Sequence, residues 1–440
     1  MSIERFTGSH KRNRFVLSDE IKRKIVDDVS ASVSVALPAR IMLSPTEADK
    51  VEIRNLVKQT LRRVEQSMGI WGRIRPAEEE ELLQNIMYKL LGLGFLEQLL
   101  PPNRDDVSEI TVNPDGTVWI MTKGSHGFTQ TDIRVTEREV KIVIDRMLGP
   151  QNRMITEAEP IALAKLPRTE RLPGGARVTV VGPPIANGDI GYSINIRLFQ
   201  PKPVRPEQLL AWNELSEEML EFLRQAIRRR RRIMIAGPTA SGKTTFLSAL
   251  AEMIYPPTER IVLIEDPAEI FLDLPHVVSL EARPPNVEGK YGVELGHLVT
   301  LAMRMSPSWL ILGEVRTGKA GVWLLRAQMS AHAGLSTIHA DSPDTAIKTL
   351  GLLAQLEPGL YTTMEAIKML VSRAVHYFVQ LTFDPWGARR VGLITRVVGI
   401  KDGDVEMEDV FVYSPEKSKE GEPVWEYGRR PDGSPVSLEP

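Results

Sequence analysis

The sequence contains no cysteine among its 440 residues. Disulfide frameworks and thiolate metal sites are therefore excluded, and the absence fits a reducing cytosol. The sequence also lacks any run of about 20 apolar residues, so we expect no membrane-spanning helix. The N-terminal stretch MSIERFTGSHKRNRF is charged and has no apolar signal core. Any role at a membrane is therefore expected to go through partners.

An excess of charge of one sign is lacking as well. The net charge is −2, with 25% charged residues, so no global field draws the chain to nucleic acid. Five consecutive arginines, Arg228 to Arg232, stand where a predicted helix ends, and there cations offset the negative end of the helix dipole. No aromatic residues interleave with these arginines, which disfavours a nucleic-acid groove. A hydrophobic content of 42% is typical of an ordinary globular protein.

Changes of hydrophobic period divide the chain into five segments. Helical spacing begins after an arm that ends near residue 45, strand-like alternation begins near residue 105, and strands alternate with helices beyond the proline-rich QPKPVRPEQ. The predicted segments are an N-terminal arm and helical segment at 1–80, an α+β domain at 81–199, a linker at 200–206, an α/β domain at 207–414 and a poorly ordered tail at 415–440.

A glycine-rich loop lies in the stretch RIMIAGPTASGKTTFLSAL, from Arg232 to Leu250. The spacing Gly237-x-x-x-x-Gly242-Lys243-Thr244 follows an apolar strand and precedes a helix, the context that a phosphate-binding loop requires. Backbone N–H groups and the helix N-terminus then point at one phosphate. Lys243 would neutralise the β- and γ-phosphates of ATP, and Thr244 would take one Mg²⁺ position. The predicted nucleotide-binding residues are Gly237, Pro238, Thr239, Ala240, Ser241, Gly242, Lys243, Thr244 and Thr245.

Acidic residues end two of the predicted buried strands. Glu265 follows the apolar run IVLI, and Glu314 follows the run LIL after one glycine. A buried carboxylate is costly unless it is paired or lies near a metal. We therefore predict that Glu314 acts on Mg²⁺, directly or through water, and that Glu265 orients or deprotonates the attacking water. The reverse assignment stays open.

Two histidines, His332 and His339, bracket the last predicted strand of the sheet. A single histidine is more often a structural residue than a functional one. At the end of a strand beside a phosphate loop, however, Thr337 and His339 are placed to respond to the phosphate state of the nucleotide.

These blocks occur in a recognisable order, which is the phosphate loop, IEDPAE, GEVR and STIHADSP. Over roughly residues 85–400 the chain resembles the secretion and pilus-assembly ATPases of type II and type IV systems. LEARPPNVEGKYGVELGHLVTLAMRMSP and LPGGARVTVVGPPI resemble the Tad/Flp pilus ATPase (CpaF type) branch most. The sequence departs from the family at Lys319, where a glutamate is usual.

The resemblance implies a RecA-like ATPase domain with a mostly parallel sheet, a smaller α+β domain before it and a homohexameric ring. It also implies that arginines of the N-terminal domain and of neighbouring subunits reach the γ-phosphate. By matched motif these are Arg177 in GGARV and Arg197 in NIRLF, with Arg283 and Arg304 as weaker candidates.

The resulting prediction is an ATPase motor that uses ATP and Mg²⁺. It would drive pilus assembly or protein secretion through an inner-membrane platform protein, without direct nucleic-acid binding. It would work in the cytoplasm, peripherally at the inner face of the cytoplasmic membrane. The alternative is a RecA-like nucleic-acid translocase or DNA-uptake motor, which would need basic, aromatic-bearing pore loops and salt-sensitive DNA binding.

Overall fold

The chain forms two compact units, Met1–Pro201 and Lys202–Pro440. The structure is a computed structural model that describes residues 17–37, 47–72, 74–101, 103–123, 125, 127–151, 153–169, 172–283, 285, 290–330, 332–429, 434 and 436.

The first unit begins with helices that share one hydrophobic cluster. Their bounds are Asp19–Ala36, Glu47–Ser67 and Pro76–Leu91. In the first of these helices Ile25, Val29 and Val33 recur every four residues on one face and are fully buried. Ser18 caps this helix by accepting a hydrogen bond from the backbone N–H of Ile21.

The predicted N-terminal arm is corrected by this helix. The four-residue recurrence of single apolar positions in a mostly polar stretch is enough to bury one face against neighbouring helices, although the stretch reads as polar overall. The rest of that arm, residues 1–16 and 38–46, lies outside the described residues.

A six-stranded antiparallel sheet follows in the first unit, with the order β3-β2-β1-β6-β5-β4. Its strands are β1 Val107–Val112, β2 Thr117–Thr122, β3 Thr129–Arg134, β4 Ile161–Leu166, β5 Ala176–Val181 and β6 Ser193–Leu198. A helix at Glu137–Leu148 and short 3₁₀ turns at Gly94–Leu99 and Gly149–Gln151 complete this part. β1 and β2 form a hairpin, in whose turn Asp115 Oδ1 accepts from the Thr117 N–H at 2.9 Å and Gly116 takes a φ of 78°.

One face of this sheet is buried, and the other carries half-buried and exposed side chains. Alternate residues such as Val178, Val180 and Ile194 enter the core, which the helix Glu137–Leu148 also lines. Because side chains alternate, Arg177 and Arg197 lie on the opposite face.

The second unit contains a nine-stranded sheet with the order β15-β14-β13-β12-β7-β11-β10-β8-β9. Neighbouring strands pair parallel from β12 through β7, β11, β10 and β8 to β9. They pair antiparallel from β12 through β13 and β14 to β15. The strands are β7 Ile233–Gly237, β8 Ile261–Glu265, β9 Val277–Glu281, β10 Trp309–Leu312, β11 Ala333–His339, β12 Tyr377–Phe383, β13 Arg389–Lys401, β14 Asp404–Tyr413 and β15 Trp425–Tyr427. The helices are Pro206–Ala211, Glu217–Arg228, Lys243–Ala251, Leu295–Ala302, Gly318–Met329, Pro343–Leu356 and Met364–Ala374.

The predicted α/β class is confirmed. Both faces of the parallel strands are covered, since Ile233 and Ile235 of β7 enter one hydrophobic cluster and Met234 and Ala236 enter the other. Strands buried on both faces appear in sequence as continuous apolar runs.

The predicted poorly ordered tail is corrected in part. Trp425–Tyr427 forms β15 against β14, and the Trp425 indole donates to the Val391 carbonyl at 2.6 Å. One aromatic anchor thus orders a segment rich in charged residues and glycine. Residues 430–433, 435 and 437–440 lie outside the described residues. In the part of the chain that the structure describes, no helix combines the length and apolarity needed to cross a membrane.

Candidate functional site

The phosphate loop lies at the carboxyl end of β7, between that strand and the helix Lys243–Ala251. Ala240 and Gly242 take left-handed φ values of 63° and 88°, which turn the loop sharply. Gly242 is the N-cap of the helix and has no side chain to accept from the first turn. The N–H groups of that turn are therefore left for an external acceptor.

Ser241 is a second polar group of the loop that is left for an external hydrogen-bond partner. Its side chain is 1% exposed, and its hydroxyl has no hydrogen-bond partner among the described residues. Buried polar atoms are nearly always satisfied. The loop is thus built to receive a polar ligand such as phosphate.

The Lys243 side chain folds over the loop. Its Nζ donates to the carbonyls of Gly237 at 3.0 Å and Pro238 at 2.8 Å. Burial lowers the pKa of the Lys243 ammonium, while the charge of Glu314 opposes this and that of Arg316 adds to it. A half-buried cation that donates to two neutral carbonyls would be stabilised further by a phosphate.

Glu314 follows β10, and the negative charge of its carboxylate raises the pKa of the Lys243 ammonium. Its Oε2 accepts from Arg316 Nε at 2.5 Å, and Arg316 Nη1 donates to the Asp266 carbonyl at 2.8 Å. Arg316 therefore links the loop after β10 to the loop after β8. Arg316 thus pairs with Glu314, and the charges of both act on the pKa of the Lys243 ammonium.

Glu265, the last residue of β8, is 3% exposed. Its Oε1 accepts from the backbone N–H groups of Glu269 at 3.0 Å and Ile270 at 2.9 Å. β10 and β11 separate β8 from β7, so the two backbones are roughly 14 Å apart at the usual strand spacing. One oxygen of Glu265 thus fixes the loop after β8, and its catalytic role stays a prediction.

β11 lies directly beside the strand of the phosphate loop, and His339 pairs with Gly237 in register. The buried Thr337 hydroxyl donates to the Gly313 carbonyl at 2.6 Å, next to Glu314. His332 instead contacts the Ala327 carbonyl through Nδ1 at 3.0 Å, a structural contact. His339 is exposed at the end of its strand and is free to meet a ligand from solvent.

The predicted arginines are spread over both units. Arg177 and Arg197 pair in register on β5 and β6 of the first unit, and Arg197 lies 3.9 Å from a Glu109 oxygen. In the second unit Arg283 donates to the Tyr291 carbonyl at 2.8 Å, and Arg304 is exposed after the helix Leu295–Ala302. The structure thus gives each of these arginines a place in its own unit, and their role at the nucleotide stays a prediction.

The arginine run Arg228 to Arg232, at the end of the helix Glu217–Arg228, makes contacts within the second unit. Arg230 pairs with Glu259 at 3.0 Å, and Arg232 donates to the Arg373 carbonyl at 2.9 Å. These contacts support the structural interpretation of the run.

Sequence reasoning missed Arg389 and Glu214. Arg389 begins β13, and its Nε donates to the Ala240 carbonyl of the phosphate loop at 3.1 Å. Burial raises the pKa of the Glu214 carboxyl to about 7, against the lowering effect of Arg389 and Arg390. The charged pair after the turn DPWGA was the available signal for Arg389, but a contact across 149 positions leaves no local pattern.

A phosphate loop on an α/β sheet with a nearby carboxylate defines a nucleotide-binding enzyme. The profile of the family described as "Type II/IV secretion system protein" matches residues 91–391. The chain therefore belongs to this family. The branch within it stays a prediction.

Proteins that are similar in sequence agree with this family membership. The putative conjugal transfer protein Rv3659c of Mycobacterium tuberculosis is 30% identical over 341 residues, which are 76% of this chain and 93% of the relative. The type IV secretion system protein PtlH of Bordetella pertussis is 30% identical over 311 residues, with 62% and 86% covered. Among solved structures, the ATPase DotB of Legionella pneumophila is similar with a TM-score of 0.48 and 17% identity, covering 72% of this chain and 80% of that one. That score is too low for the likeness to carry an argument about the site.

The chain is an ATP-hydrolysing enzyme of type II/IV secretion and protein transport. This confirms the predicted activity and the nucleotide requirement. The family membership does not favour the alternative of a nucleic-acid translocase.

Proposed function

We propose that this chain is a Mg²⁺-dependent, homohexameric ATPase motor of the RecA-like type. It drives pilus assembly or protein secretion through an inner-membrane platform protein. The observation that carries the proposal is the grouping of Lys243, Glu314 and Arg316 at the phosphate loop. In this proposal Lys243 meets the phosphates, and Glu314 meets the metal or the attacking water.

The residues of the loop fit a nucleotide with its metal. Thr244, in the first helical turn, and Glu314 would hold Mg²⁺, Glu314 directly or through water. Bound there, the ion neutralises charge on the phosphate oxygens. Magnesium takes few protein ligands beside substrate phosphates and waters. This agrees with the described residues, among which no group of three or more His, Asp or Glu side chains forms a metal site.

The remaining predicted residues receive roles in the same reaction. Glu265, oriented by two backbone donors, positions the water or takes its proton. Arg177 and Arg197 stabilise negative charge on the transferring phosphoryl group. His339 responds to the phosphate state through its place beside Gly237.

The assembly and location follow from the family resemblance. The ring, the platform protein and the position at the inner face of the cytoplasmic membrane are features of secretion motors. The similarity to a putative conjugal transfer protein and to a type IV secretion system protein supports a transport role. The stretch from Leu280 to Pro307 supports the Tad/Flp branch.

Single substitutions at the loop test the site. Lys243→Ala should abolish ATP binding and turnover, because it removes the cation that meets the phosphates. Glu314→Gln should still bind ATP but hydrolyse it about 100-fold or more slowly, the scale of a lost acid–base or metal-directing group. Glu265→Gln, measured alongside, shows whether the second carboxylate contributes. Binding is measured with a fluorescent ATP analogue and turnover by phosphate release.

Matched controls are available on exposed helix positions. Lys348→Ala removes an exposed lysine that pairs with Asp344, and Glu365→Gln changes an exposed helical carboxylate. Both should keep normal turnover. Normal steady-state hydrolysis by Lys243→Ala or Glu314→Gln would refute the site assignment.

A further inference from the structure

The hairpin formed by β12 and β13 borders the phosphate loop. A Cβ on Gly237 would lie 3.1 Å from the Cβ of Leu381 on β12, so the strand packs closely on the loop's first residue. At the start of β13, Arg389 Nε donates to the Ala240 carbonyl at 3.1 Å. A Cβ on Gly242 would lie 3.3 Å from Arg389 Cδ, so the arginine stem also covers the end of the loop.

The part of the loop that Arg389 touches is in a costly conformation. Ala240 has a φ of 63°, in the left-handed region that an alanine rarely adopts. Such residues persist only where the surroundings hold them in place. The bond from Arg389 fixes the Ala240 carbonyl and with it the peptide plane that follows.

Arg389 is itself held by a rigid base. Arg390 forms a buried ion pair with Asp384 at 2.9 Å, and its Nη1 donates to the Arg389 carbonyl at 2.9 Å. The other oxygen of Asp384 accepts from the N–H groups of Trp386 at 3.0 Å and Ala388 at 2.8 Å. The turn that carries Arg389 is thus tied together by charged groups that are almost fully buried.

We propose that Arg389 is a positioning residue for the phosphate loop. Its guanidinium keeps Ala240 in the left-handed conformation, so that the N–H groups of the loop are arranged for phosphate before the nucleotide binds. This inference rests on the proposed nucleotide site. The β12–β13 hairpin then serves as a clamp on the loop as well as an extension of the sheet.

The test compares the effect of substitutions at Arg389 on ATP affinity with their effect on ATP turnover. Arg389→Ala should raise the Kd and KM for ATP about tenfold, the scale of one lost charge-assisted hydrogen bond. It should change kcat less than about twofold, because preorganisation supports bound substrate and transition state alike. Arg389→Lys keeps a cationic donor and should restore part of the affinity. In the nucleotide-free protein, hydrogen exchange at the amides of Ser241 to Thr244 should be faster in Arg389→Ala than in the wild type.

Lys401→Ala is the control, since Lys401 lies at the far end of the same strand and pairs with Glu406. Unchanged Kd and unchanged loop exchange in folded Arg389→Ala would overturn the inference. So would a loss confined to kcat. If Lys243→Ala loses ATP binding while Arg389→Ala keeps it, only the role of Arg389 fails. If both bind ATP normally, the proposed site fails as well.

Discussion

At the scale of the residue, Glu214 is a buried carboxyl in the second unit. Burial raises its pKa from 4.5 to about 7, although Arg389 and Arg390 favour its charged form. Its backbone carbonyl accepts from the Val391 N–H at 2.7 Å, next to these arginines. The carboxyl therefore titrates near neutral pH beside the hairpin that contacts the phosphate loop.

This shift predicts a pH dependence of stability. Between pH 4.5 and about 7 the folded chain binds more protons at Glu214 than the unfolded chain, so the free energy of unfolding falls as pH rises through this window. The expected loss is about 3 kcal/mol, from roughly 1.4 kcal/mol per pKa unit. Glu214→Gln should remove this trend. Chemical denaturation of both proteins at several pH values between 4.5 and 8 measures the difference.

The comparison with Glu214→Gln also separates the titration of Glu214 from that of His376. Burial lowers the pKa of His376 to about 4, helped by Arg232 and Arg231, so its contribution is lost as pH falls from 6.5 towards 4. That contribution is common to both proteins and cancels in the difference. An identical pH profile for wild type and Glu214→Gln would contradict the prediction.

At the scale of the element, the helix Asp19–Ala36 offers a matched pair of valines. Val29 is fully buried and Val35 is 89% exposed. Val29→Ala should destabilise the helical cluster by about 2 kcal/mol, from two buried methyl groups at roughly 0.8 kcal/mol each plus a cavity term. Val35→Ala should be neutral or slightly stabilising, because alanine has the higher helix propensity. Native-state hydrogen exchange in the helices Glu47–Ser67 and Pro76–Leu91 reports the effect, and equal protection in both variants would contradict it.

The parallel strands were the elements that the sequence predicted best. β7, β8 and β10 appear as apolar runs of four residues because both of their faces are buried. Their order in the sheet could not be predicted, since it depends on crossovers. The insertion of β11 between β7 and β10 is what brings His339 beside the phosphate loop.

The sequence predicted some residues of the site and missed others, because only contacts between near neighbours leave a pattern in it. Lys243 and Glu314 belong to local motifs, whereas Arg389 reaches Ala240 only through tertiary folding. A motif fixes neighbours within a few residues, and a hairpin that closes on a loop from far along the chain has no such signature. The helix Asp19–Ala36 differs, because its four-residue recurrence was visible and was outweighed by the polar composition around it.

At the scale of the whole molecule, the face of the antiparallel sheet opposite its core carries a row of three cations that ends at a carboxylate. Register pairs Lys165 with Arg177, Arg177 with Arg197 and Arg197 with Glu109, so these side chains share one face. Like charges directly opposite one another on adjacent strands are destabilising. A bound anion such as the γ-phosphate would offset that cost, which is the role proposed for Arg177 and Arg197.

Arg177→Ala is therefore expected to act in opposite directions on activity and stability. Without the like-charged neighbours of Arg177, the sheet should be stabilised by a few tenths of a kcal/mol up to about 1 kcal/mol. The kcat for ATP should fall at least about tenfold while ATP affinity stays close to normal, because an arginine at the γ-phosphate acts mainly in the transition state. Thr179→Ala, on the same strand and the same face, is the control and should change neither quantity much. Normal kcat in Arg177→Ala, together with unchanged or lower stability, would show that this row is an ordinary solvated sheet face and that the motor draws its arginines from elsewhere.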